Sequence, residues 1–182
     1  MANSEHLSIL RQSVEAWNQW RPQGPHWADV KAADLNSADL SGSNLRGANL
    51  FGANLSQAKL NGADLSQADL SYANLSQADL SQAILLKADL SDADLSSVTL
   101  LGADLTHGNL SRANLSKANL RRANLREVDL SGADLQAAIL WVTNLSGAIL
   151  KGVNLVEAEL RELDLNGADL SGASRHNGVT GK

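Results

Sequence analysis

Leucine recurs at every fifth position from Leu35 to Leu170, 28 times without a miss, and few folds can accept such a period. Val30 extends the series by one unit at its start. Alanine stands two residues before the leucine in 21 cases, the exceptions being Ser43, Val98, Gly108, Val128, Thr143, Val153 and Leu163. The residue between is Asp or Asn in 22 cases. The unit is therefore A-(D/N)-L-x-x, seen cleanly in Ala63-Asp64-Leu65-Ser66-Gln67.

Neither regular element tolerates this spacing. On an α-helix five residues advance about 140° beyond a full turn, so the leucines would spiral over every face. On a β-strand an odd step sends successive leucines to opposite sides. Both arrangements expose half the core, so the chain must bend once per unit to aim each Leu and Ala at one axis. Glycine is placed accordingly: ten of the 14 glycines, Gly42, Gly102 and Gly147 among them, lie two residues after a repeat leucine. That is where a tight turn calls for positive φ. The Asp or Asn before each leucine is suited to accept from nearby backbone amides and fix the bend, so these residues read as structural before they read as binding groups.

Hydrophobic residues make up 43% of the 182-residue chain but aromatics only 3%, so the core is aliphatic. The chain has no cysteine, which excludes disulfides, thiolate metal sites and a cysteine nucleophile. A net charge of −5 disfavours general nucleic-acid binding.

From residue 28 to about 173 the A-(D/N)-L-x-x units resemble the pentapeptide repeat family. The resemblance implies an all-β solenoid, a right-handed quadrilateral β-helix with four pentads per coil, Leu and Ala inward and the other positions outward. On that reading 28 pentads form about seven coils, a rod of roughly 34 Å at β-type spacing. The segment Val14-Glu15-Ala16-Trp17-Asn18-Gln19-Trp20-Arg21 resembles the lead-in of cyanobacterial members.

Residues 1–27 are expected to cap the first coil. Leu7, Leu10, Val14 and Trp17 follow helical spacing, which predicts one amphipathic helix over residues 4–20, with Asn3 or Ser4 as its cap. Arg21-Pro22-Gln23-Gly24-Pro25 should end it. Trp17, Trp20 and Trp27 fall within this segment. The polar face lacks the Lys/Arg enrichment of a membrane-surface helix. Residues 174–182 have no amphipathic pattern and read as a flexible tail, leaving the last coil open; the protein is then a monomer or an end-to-end homodimer through that coil. No secretory signal or membrane-length apolar run is visible, so a cytoplasmic location is expected.

No catalytic constellation emerges. His107 is the one histidine inside the repeats, and no second histidine stands 20 residues from it, short of the three or four convergent ligands of a zinc site. The column Ser56, Ser76, Ser96, Ser116 has no base beside it. A filled rod offers no cleft, so neither enzyme activity nor a cofactor is expected. Columns of residues 20 apart point instead to one surface patch. Leu101, Arg121, Trp141 and Arg161 fall in one column, which places Trp141 between two arginines, with Ile139 and Val142 alongside. Its plainer reading is that Trp141 lies flat as surface packing. Arg112, Lys117, Arg121, Arg122 and Arg126 ring the rod as a belt without forming the continuous face that duplex DNA requires.

The leading expectation is a non-catalytic protein-interaction or scaffold module whose partner is unknown. The resemblance also implies an alternative, binding to a type II topoisomerase such as gyrase by mimicking duplex DNA. The arginine belt interrupts the acidic stripe that this would need. A structural protein with no specific partner is the third reading.

Overall fold

The computed structural model describes residues 2–22 and 28–174. From Asp29 onward each outward Asx position pairs in parallel with the residue 20 further on, from Asp29↔Asn49 to Asn154↔Ser174. One coil is therefore four pentads, and the described chain forms about seven coils of a right-handed quadrilateral β-helix. The rungs are regular: the Leu35 amide donates to the Asn54 carbonyl at 2.7 Å, and the Asn54 amide donates back to the Ala33 carbonyl at 2.9 Å. Most positions pair too briefly to count as strands. The exception is β1 (Ile139–Trp141), which lies parallel to β2 (Glu159–Arg161) with Trp141 opposite Arg161.

Each corner is a turn closed by a hydrogen bond to the leucine carbonyl, as from the Ala63 amide to Leu60 at 3.0 Å, with positive φ at the residue before. Gly42 and Gly102 take φ of 66° and 65° there. Nineteen non-glycine residues adopt the same conformation, so the repeat imposes the corner even where glycine is absent. The Asx residues brace it as expected: Asp64 Oδ1 accepts from the Ser66 amide at 2.9 Å, and Asp129 Oδ1 from the Ser131 amide at 2.8 Å. They also bond along the rod, Asn114 Nδ2 donating to Asp94 at 3.0 Å and Asn154 Nδ2 to Asp134 at 2.8 Å. These rungs between coils place an amide donor beside a carboxylate.

Inside, every repeat leucine from Leu35 to Leu155 is at most 6% exposed. Thr143, which replaces an inward alanine, donates its hydroxyl to the Leu120 carbonyl at 2.9 Å and is thereby satisfied within the core.

The N-terminal segment differs from the single helix expected over residues 4–20. It breaks at Ser13 into α1 (Ser4–Gln12) and α2 (Val14–Trp20). Ser13 is extended, and its hydroxyl accepts from the Ala16 amide at 3.0 Å, so it caps a second helix where a straight one would carry on past the rod. Asn3 caps α1, its side chain accepting from Glu5 and His6. The break lets the pair fold over the first coil, whose upper edge has no preceding coil to pair with. Trp17 Nε1 donates to the Asn44 carbonyl at 2.8 Å, and Asn18 Oδ1 accepts from the Asn44 amide at 2.7 Å. The Asp29 amide donates to His6 Nδ1 at 3.0 Å, and Arg11 donates to the Asp34 carbonyl at 3.0 Å. Arg21 ends α2 and donates to the carbonyls of Asn44 and Arg46; burial holds its guanidinium below the ordinary value, with Asp64 opposing. Trp17 is fully buried and Trp20 half-buried; Trp27 and Gln23-Gly24-Pro25 lie outside the described residues. So do residues 175–182, on which the expected tail falls.

Candidate interaction face

The coil period brings the six candidate residues to one corner of the rod and the face leading into it. Leu101, Arg121, Trp141 and Arg161 follow one another down successive coils, tied by backbone bonds from Gly102 to Arg121, from Arg122 to Trp141 and from Val142 to Arg161, each 2.9 Å. The Trp141 ring is held between two guanidinium groups, Arg121 Cζ at 4.1 Å from its centroid and Arg161 Cζ at 4.3 Å. This is the stack that the column predicts. Leu101 stands one coil above Arg121, so a guanidinium interrupts the apolar run between Leu101 and Trp141. Leu101 is 38% exposed and Val142 51%, while Ile139 and Trp141 are half-buried.

Two N–H donors inside this stack, Arg121 Nε and Trp141 Nε1, are buried without a hydrogen-bond partner. Among the described residues neither Arg121 nor Arg161 has an acidic side chain within ion-pair distance, although Glu159 and Glu162 are close in sequence to Arg161. Elsewhere on the belt Arg112 and Arg126 are paired, while Lys117 and Arg122 have no acidic partner among the described residues. Arg112 grips Asp92 through two bonds of 2.8 and 2.6 Å. Those bonds hold the Asp92 carboxyl below its usual range and raise Arg112 above its own. Arg126 and His107 both meet Glu127, at 2.8 and 3.2 Å.

A second exposed cluster escaped the sequence reading. Phe51 and Tyr72, the chain's one Phe and one Tyr, stack at 5.5 Å on another corner and are 45% and 60% exposed. They stand 21 residues apart, one coil plus one step, so the same column rule applied to every aromatic would have found them. Among the described residues no group of His, Cys, Asp and Glu could hold a metal, and no helix is long and apolar enough to cross a membrane.

A corner-braced rod filled by Leu and Ala defines the class of protein. The family profile for pentapeptide repeats matches eight copies over residues 26–50, 48–85, 73–112, 109–141 and 143–174, and the chain belongs to that family. Among solved structures it is similar to a trypsin-treated form of QnrB1, a plasmid-mediated fluoroquinolone resistance protein, with 28% identity over 79% of each chain and a TM-score of 0.62. It is also similar to HetL, a pentapeptide repeat protein involved in heterocyst differentiation regulation from the cyanobacterium Nostoc sp. strain PCC 7120. There identity is 38%, covering 84% of this chain and 76% of HetL, at a TM-score of 0.37. Rfr23 from the cyanobacterium Cyanothece 51142 is 30% identical, covering 87% of this chain and 97% of Rfr23, at a TM-score of 0.44. No curated protein matches the chain.

Proposed function

We propose that this chain is a non-catalytic protein-interaction module, a rigid rod that presents Leu101, Arg121, Ile139, Trp141, Val142 and Arg161 to a protein partner. The observation that carries this reading is the Trp141 ring clamped between Arg121 and Arg161 at 4.1 and 4.3 Å. Tryptophan and arginine dominate binding energetics where they are pre-organised, because little side-chain freedom is left to lose on contact. The β1–β2 pair beneath the stack supplies that rigidity. Tagged protein and a Trp141→Ala/Leu101→Ser variant, incubated in cell lysate, provide the test. A partner retained by the wild type and lost by the variant supports the reading; identical captures overturn it.

The likeness to QnrB1 favours one other reading, binding of a type II topoisomerase. Its test is separate: inhibition of DNA supercoiling by purified gyrase would establish it. We also propose that two rods meet end to end through the last coil. Leu160, Leu163 and Leu170 there are partly exposed and Leu165 is 37% exposed, unlike the leucines above them.

A further inference from the structure

Among the described residues neither arginine around Trp141 has an acid paired to it, on a protein whose net charge is −5. Arg112 and Arg126 are paired; Arg121 and Arg161, like Lys117 and Arg122, are left open, and they alone among these cations close on a tryptophan. Every polar hydrogen of the two guanidinium groups is a donor on a positive charge, so the partner that fits them is an acceptor and preferably an anion. Arg121 and Arg161 are two coils apart, and their guanidinium carbons lie 4.1 and 4.3 Å from the Trp141 centroid. Trp141 lies between them, with Ile139 and Val142 alongside and Glu159 and Glu162 next to Arg161 in sequence. The corner therefore displays charge, apolar surface, charge, in that order down the rod.

We infer that this corner binds an acidic segment of a partner protein, an extended stretch with two carboxylates two residues apart and an aliphatic side chain on the same side. In an extended chain residues two apart share a side and stand about 7 Å apart, within reach of two guanidinium groups whose carbons lie 4.1 and 4.3 Å from the Trp141 centroid. Arginine takes a carboxylate through two parallel hydrogen bonds, and the aliphatic residue covers Val142. Nucleic acid fits less well. A duplex needs a continuous basic face, and the belt turns around the rod at each coil.

This inference rests on the interaction-module reading and specifies the chemistry of its partner. Selection of phage-displayed random dodecapeptides on the immobilised full chain tests it, followed by titration of the synthesised winners. The expected winners carry Asp or Glu two residues apart, next to Leu, Ile or Val on the same side. Their binding should weaken as salt rises and fall roughly tenfold or more in Arg121→Gln/Arg161→Gln. Circular dichroism and thermal melting check that this variant is folded, and Trp141→Phe, which keeps a ring between the arginines, should retain most of the affinity. Winners without acidic residues, no winners at all, or binding indifferent to the arginine variant would overturn the inference. So would a 20-base-pair DNA duplex that bound through the same arginines more tightly than any peptide. A lysate partner lost with Trp141→Ala but kept by Arg121→Gln/Arg161→Gln would leave the interaction module standing and remove only the acidic segment.

Discussion

Val142 holds φ at +58° and is half exposed, a conformation that β-branched side chains avoid because Cβ crowds the backbone carbonyl. Ten glycines occupy the same place in their own pentads without that strain. Val142→Gly should therefore stabilise the fold by roughly 0.5–1 kcal/mol, the relief of strain exceeding the added chain entropy and the lost contact. The urea midpoint measures it, and a lower midpoint would refute it. On the proposed function the same change removes an apolar contact and weakens capture, so stability and binding should move in opposite directions. The sequence states where this corner lies, because Val142 follows Leu140 by two, but not that the corner keeps its shape without glycine. Backbone bonds from both neighbouring coils impose that, and no local signal in the pentad records it.

Among the elements, the solenoid was the most legible and the cap the least. Leu at a fixed step specifies its own environment twenty-eight times over, with Ala in 21 of those units and Asx in 22, so any one exception, such as Thr143, is overruled by its neighbours. The cap has one copy of everything. Leu7, Leu10, Val14 and Trp17 satisfy a continuous helical stripe as well as they satisfy two short helices, and what decides between them is the shape of the coil edge that they must cover. Ser13 was the available clue, a capping residue in mid-stripe, but serine inside a helix is common enough to hide it. Phe51 and Tyr72 were hidden differently: each is unremarked in its own pentad and becomes a pair only when adjacent coils are aligned. Because a solenoid's stability is nearly a sum over neighbouring coils, loss of the cap should stay local. Trp17→Ala removes a fully buried ring and its bond to Asn44, a loss of about 3–5 kcal/mol confined to that end. Amide exchange should accelerate over residues 29–50 and remain unchanged beyond residue 100. Uniform acceleration would mean that the rod unfolds as one unit.

At the scale of the whole molecule the two ends of the rod are unlike. The upper edge is covered by α1 and α2, which supply side-chain partners to Asp29, Asp34 and Asn44. At the lower edge the bond from the Leu155 amide to the Ser174 carbonyl is the last leucine rung among the described residues. The partly exposed Leu160, Leu163 and Leu170, with Leu165 at 37% exposure, make an edge suited to a second β-type surface. Sedimentation velocity across a range of concentrations should therefore show a monomer–dimer equilibrium. Leu165→Glu/Leu170→Glu should shift it to monomer, because each carboxylate would be carried into an apolar contact. The Trp141→Ala variant should leave the equilibrium unchanged, since its corner lies on the side of the rod. A wild type that stays monomeric at every concentration would refute end-to-end pairing, and dimerisation abolished by Trp141→Ala would place the contact on that side instead.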